Sequence, residues 1–168
     1  TNICCSDNAG IIVFDRVKSK MFGDYYFKKG CFEIDDYWEI HQFTNNTFYY
    51  QSSEQSTIRR CSNLILKPGV VFSYAPPTEN RDLIYMQGHE SILYLDNATL
   101  HSTSTGLQLT VGSLEIEGNC IIESDATIKS EGIIFGDGSN SDNNLTIDIH
   151  PSSVLEVGSG YVVYNNVE

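Results

Sequence analysis

Leu93-Tyr94-Leu95-Asp96-Asn97-Ala98-Thr99-Leu100 and, 21 residues on, Leu114-Glu115-Ile116-Glu117-Gly118-Asn119-Cys120-Ile121-Ile122 follow one pattern. A run of the form Leu-x-(Leu/Ile)-charged is followed by a short turn and a second apolar run. Leu64-Ile65-Leu66-Lys67 with Val70-Val71-Phe72, and Leu145-Thr146-Ile147-Asp148 with Ser153-Val154-Leu155, repeat it. A third run closes each unit: Leu83-Ile84-Tyr85, Leu107-Gln108-Leu109, Ile133-Ile134-Phe135 and Val162-Val163-Tyr164. No such unit buries its apolar side alone, and stacking successive units makes a continuous core. The expected fold is therefore all-β: a parallel β-solenoid of about four three-strand coils over 61–168.

The first runs of successive units lie 29, 21 and 31 residues apart, so the 21-residue interval is read as the bare coil. The longer intervals carry turn-rich insertions, 75–80 and 136–143, both beside the third run; loops at one corner are where solenoids place binding functions. Period-two alternation turns Leu93, Leu95, Leu114, Ile116, Leu145 and Ile147 inward and Tyr94, Glu115 and Thr146 outward. Asn97 and Asn119 fall at one turn of adjacent coils, a spacing suited to an amide ladder.

Residues 1–60 do not follow this repeat. Gly10 to Phe14 reads as a buried strand, and 25–50 alternates with aromatic faces around Lys28-Lys29-Gly30 and Thr44-Asn45-Asn46, the pattern of β-hairpins. An N-terminal aromatic-rich β cap over 1–60 would cover the open end of the solenoid at 61–168. Of the 18 Tyr and Phe residues, 14 precede residue 90, in keeping with that division.

With a formal net charge of −12 and ten Lys and Arg, of which Lys129 alone follows Arg81, the chain is unsuited to nucleic acid or an anionic membrane surface. No run approaches the roughly 18 apolar residues that span a bilayer. The chain begins at Thr1, as it would after removal of a targeting segment or within a longer protein. Asn45, Asn97 and Asn144 open Asn-x-Thr sequons and are the glycosylation candidates. Of five cysteines, Cys120 holds the place of Ala98 and Ser153 in neighbouring units and reads as a buried thiol. Cys4, Cys5, Cys31 and Cys61 are the disulfide candidates, in either of two cross-connectivities, since a bridge between neighbours is strained. Two such bridges suit an oxidising, extracellular setting.

Over 61–168 the repeat resembles that of right-handed parallel β-helix proteins of the pectin-lyase-like fold, a group that includes adhesins, autotransporter passengers, tailspikes and polysaccharide lyases. The resemblance lies in the repeat and not in a family motif. It implies an extracellular or cell-surface location, and it carries no function by itself.

Asp96, Glu117 and Asp148 occupy equivalent ends of three first runs and would form an acidic stripe, but only Lys129 is near enough in sequence to act as the base a lyase needs. The loop 137–143 spaces oxygen ligands as calcium loops do, with Asp137 and Asp142 as its acids, yet lacks a bidentate Glu. His41, His89, His101 and His150 share no metal-ligand spacing. No phosphate loop or nucleophile elbow is present, so no catalytic residue, cofactor or metal is assigned. Tyr25, Tyr26, Tyr37, Trp38, Tyr49 and Tyr50 belong to an N-terminal core or interface, or stack on sugars.

Tyr161-Val162-Val163-Tyr164 lies in the last unit's third run with no capping element after it, an edge to be closed by more chain or by another subunit. The expected function is therefore an extracellular, non-enzymatic structural protein. Its partner is a second copy, joined head to tail into a fibre or surface layer through Tyr161, Val162, Val163 and Tyr164 against Ile11, Val13 and Phe14. An adhesin or glycan-binding β-helix is the alternative, with glycans as partner, and a polysaccharide-degrading β-helix enzyme the second alternative.

Overall fold

In the computed structural model, which describes residues 7, 9–103, 105–136, 138, 145–158 and 160–165, the chain winds into a parallel β-solenoid of about six coils. β1 (Ile11–Met21) and β2 (Tyr25–Phe27) make the first coil, β3 (Cys31–Gln42) and β4 (Thr47–Tyr50) the second. In the third, the long strand is split into β5 (Ser56–Ile58) and β6 (Asn63–Leu66) before β7 (Val71–Tyr74). The fourth is split likewise into β8 (Ile84–Met86) and β9 (Ile92–Asp96), followed by β10 (Thr99–Ser102). β11 (Leu107–Glu117) and β12 (Asn119–Ser124) form the fifth coil, and β13 (Thr127–Phe135) and β14 (Thr146–Ile149) the sixth. β15 (Val154–Val157) and β16 (Val162–Tyr164) start another.

Each long strand bends once, so every coil has three walls. The bend falls where the ladder register breaks, at Asp15/Val17 and at Leu109/Ser113. Left-handed backbone makes this corner at Arg16, Asp36, Cys61 and Gly112. The corner into the third wall is made the same way by Asn45, Gly69, Asn97, Gly118 and Gly136. At Gly118 (φ 68°) the glycine is required twice over, because the carboxamide of Asn97 sits where a Cβ would be. The third wall stacks β2, β4, β7, β10, β12 and β14, all parallel.

Register then decides the core. On the second wall Trp38, Leu64, Leu93, Leu114 and Ile133 stack in one inward file. Beside it run Ile40, Leu66, Leu95, Ile116 and Phe135. On the third wall the files are aromatic at the start of the chain. Phe48 stacks on Phe72 at 5.5 Å and 7°, and Tyr50 on Tyr74 at 5.7 Å and 8°. The same two files continue as Leu100 and Ile122, and as Ser102 and Ser124. Buried serines satisfy backbone at the corners: Ser56 Oγ accepts from Phe32 N (3.0 Å) and Ser62 Oγ from Asp36 N (3.0 Å).

Several expectations change. The chain makes about six coils instead of four, because residues 11–50 are themselves coils. β1 pairs with β3 and β2 with β4 in parallel, so the expected hairpins do not form; the alternating aromatic pattern is that of half-buried strands, which a parallel stack uses equally well. The last unit was assigned one wall out of step. Leu114 pairs with Ile133, so Ile133-Ile134-Phe135 is the second-wall strand, while Thr146–Ile149 pairs with β12 on the third wall. Cys120 thus stacks between Ala98 and Ile147 and not on Ser153, and Asp148 pairs with Ile121, on a different wall from Asp96 and Glu117. The two insertions also part company. Segment 75–83 joins the third wall to the first, and 136–145 joins the second to the third, so they do not share a corner.

Candidate functional site

The most exposed apolar side chains of the described residues lie toward the two ends of the stack. At the first coil, Ile11 and Val13 are 58% and 54% exposed on the outer side of β1. Phe14, next to Val13 on the same strand, turns inward and stacks on Trp38 at 3.8 Å and 9°, which makes it core. At the other end Val162 and Tyr164 are 62% and 65% exposed, and Tyr161 and Val163 are partly so. Tyr161 is anchored: its hydroxyl meets the buried Ser113 Oγ at 2.7 Å, and its ring passes over Gly132, where a Cβ would crowd it. The structure therefore sets six of the seven expected interface residues on exposed surface at the two ends and the seventh in the core.

Phe22 and Phe43 were not anticipated. They are 77% and 63% exposed, lie 5.7 Å apart between the second and third walls, and carry the Lys20 ammonium 5.0 Å from the Phe43 centroid. Next to them is a cavity of about 490 Å³, lined by Ser19, Met21, Tyr25, Trp38, Ile40 and Phe48, with Lys20, Phe22 and Asp24 also on its lining. The sequence held one usable signal. Ser19 occupies the inward position opposite Ile40, where every later coil places a large apolar residue. Of the six aromatics singled out, Trp38 and Tyr50 are buried, Tyr26 is exposed and stacks on Tyr49 at 4.7 Å, and Tyr25, Tyr37 and Tyr49 are half-buried.

Charge is divided along the stack. Residues 82–168 hold 13 of the 22 acids and one of the ten bases, and so carry the whole net charge of −12, while residues 1–81 hold nine of each. In the first coil Arg16, Lys18, Lys20, Lys28 and Lys29 outnumber Asp15 and Asp24. Lys18 reaches Glu39 at 2.9 Å and His41 meets the other oxygen at 2.6 Å. Burial pushes the Glu39 carboxyl up, but these two hydrogen bonds outweigh it and hold the group below its ordinary value. Asp96 and Glu117 are register neighbours, and Asp96 is paired to Lys67 at 2.5 Å. The three-residue acidic stripe is thus not formed.

Asn97 is committed to structure. Its Oδ1 accepts from Asn119 N (3.0 Å), its Nδ2 donates to Asp96 Oδ1 (2.8 Å), and Asn119 Oδ1 accepts from the Thr146 hydroxyl. The contact from Asn97 to Asn119 is therefore side chain to backbone and not amide to amide. Asn45 is exposed at its turn, and Asn144 lies outside the described residues. So do Asp137, Asp142, Cys4 and Cys5. Cys31 is half-buried at the start of β3, Cys61 is an exposed thiol at a corner, and Cys120 is a buried thiol that burial pushes above its ordinary pKa. No disulfide links any two of these three. Among the described residues no group of three or more His, Cys, Asp or Glu is placed to hold a metal ion, and no helix is long and apolar enough to cross a membrane. Comparison with protein-family models, with curated proteins and with solved structures finds no match to this chain.

Proposed function

We propose that this chain is a structural β-solenoid subunit whose copies stack head to tail into a fibre or surface layer. The observation that carries this reading is the division of charge: a first coil with cations in excess and a second half that holds the entire net charge of −12. Head-to-tail contact juxtaposes these opposite signs, whereas tail-to-tail contact sets acid against acid. The apolar residues of the two ends, Ile11 and Val13 on one and Val162 and Tyr164 on the other, supply the surface to bury. In this account residues 1–60 are the assembly segment and 61–168 the body of the stack. The likeness of the repeat to pectin-lyase-like adhesins and autotransporter passengers supports an extracellular or cell-surface location.

Electron microscopy of the purified chain tests the reading. Filaments are expected, with an axial repeat of about 30 Å from six coils at ~4.8 Å each. Single particles at every concentration would refute it. A second reading, a glycan-binding module, is favoured by the exposed Phe22–Phe43 pair and by the Tyr26–Tyr49 stack. Binding to a glycan array that survives Phe22→Ala with Tyr26→Ala would remove that reading.

A further inference from the structure

The second-wall file that starts at Ile40 and runs through Leu66, Leu95, Ile116 and Phe135 ends on Tyr164. At its other end, opposite Ile40, the first coil places Ser19. Among the described residues the file therefore runs from a hole to a ring. The hole is the cavity of about 490 Å³ over Trp38, Ile40 and Phe48, while a benzene ring fits in about 150 Å³. The ring at the far end is 65% exposed.

We infer that Tyr164 of one copy seats in the Ser19–Trp38–Ile40–Phe48 cavity of the next, and that this contact sets the register of the head-to-tail stack. The inference rests on the assembly reading and names the residue and the socket that would perform it. Continuing the parallel ladder across the junction lays β16 of one copy beside the second half of the next copy's β1. The register that aligns Phe135 with Tyr164 inside the chain then aligns Tyr164 with Ser19 across copies. The socket's floor is apolar and aromatic, which suits the ring. Ser19, Lys20 and Asp24 on its lining offer polar partners for a phenol hydroxyl, which keeps a donor or acceptor when buried. Lys18 and Lys20 flank Ser19 on β1 and face a partner whose last coils are acidic, so charge and shape select the same end.

Trp38 is the single tryptophan of the chain and lines the socket, so its emission reports occupancy directly. Sedimentation velocity and Trp38 fluorescence are measured across a dilution series for the unmodified chain, Tyr164→Phe and Tyr164→Ala, with thermal melts to confirm that the exposed site leaves the fold intact. The expected result is an emission shift that tracks association in the unmodified chain and in Tyr164→Phe. In Tyr164→Ala association is weakened at least tenfold and the shift is lost. Association of Tyr164→Ala equal to the unmodified chain, or association without any Trp38 shift, would overturn the socket while leaving end-to-end stacking standing. A chain that stays monomeric throughout would instead overturn the assembly reading itself.

Discussion

Cys61 sits at a first-to-second-wall corner with φ 57°, a backbone region that costs a non-glycine residue about 1–2 kcal/mol. Its side chain is exposed, so little packing opposes substitution. Cys61→Gly relieves that strain at an entropic cost of about 0.5–1 kcal/mol, and a net gain of about 0.5–1 kcal/mol is expected in urea unfolding. Were Cys61 bridged in the native protein, the same change would cost about 2–5 kcal/mol instead, so one titration decides the disulfide expectation at this residue. Tyr74 gives a second residue-level test. Its hydroxyl donates to Asn80 O (2.8 Å), accepts from Leu83 N (3.1 Å), and is pushed by burial up to about 12. An unfolded Tyr ionises near pH 10. Between about pH 10 and 12 the unfolded state thus binds fewer protons than the folded one, and stability falls as pH rises. Tyr74→Phe should flatten that alkaline slope while costing about 1–3 kcal/mol at neutral pH, because Leu83 N loses its partner. An unchanged alkaline slope would show that Tyr74 does not control it.

At the scale of strands, the stack predicts where damage is tolerated. Phe72 is fully buried between Phe48 and Leu100, and Phe72→Ala should cost about 3–5 kcal/mol in thermal or urea unfolding. Val154, half-exposed on β15, should cost less than about 0.5 kcal/mol when changed to Ala. Equal costs at the two sites would mean that the core does not run as these files. The strands themselves were legible in the sequence, since period-two alternation marks inward and outward positions whichever wall a strand occupies. Leu93, Leu95, Leu114 and Ile116 are all fully buried, as their spacing implies. The wall was not legible beyond Ile122. Thr127–Phe135 is one strand bent over two walls, and its bend falls at Glu131, which the ladder skips, without a sequence break, so Ile133-Ile134-Phe135 reads as a first-wall run. From Tyr25 to Tyr50 the alternation was equally visible, but it does not distinguish an antiparallel neighbour from a parallel one a coil away, and Asp15 to Met21, read as a turn or short helix, is the second half of β1. The signal that does distinguish them is the recurrence of left-handed corner residues at Asn45, Gly69, Asn97, Gly118 and Gly136.

For the whole molecule, the acidic half was plain in the sequence, but its meaning depends on the coil count. Once residues 11–50 become coils, the cations of the first coil lie at one end of a stack about 30 Å long, several screening lengths from the acidic coils at the other. The socket was not read from the sequence because its one signal, a lone serine, means little until register sets it opposite Ile40. If the ends attract through these charges, association weakens as salt is raised from 50 mM to 500 mM, and a salt-independent assembly would assign the contact to apolar burial alone. The most direct test mixes two blocked chains in sedimentation velocity at low salt. One carries S19W, which fills the first-coil cavity, and the other V162K/V163K on the last strand. The account predicts that each is monomeric alone, that their mixture forms a 1:1 dimer and stops, and that the unmodified chain grows without a fixed size. Association by either variant alone, or a mixture that stays monomeric, would contradict head-to-tail stacking.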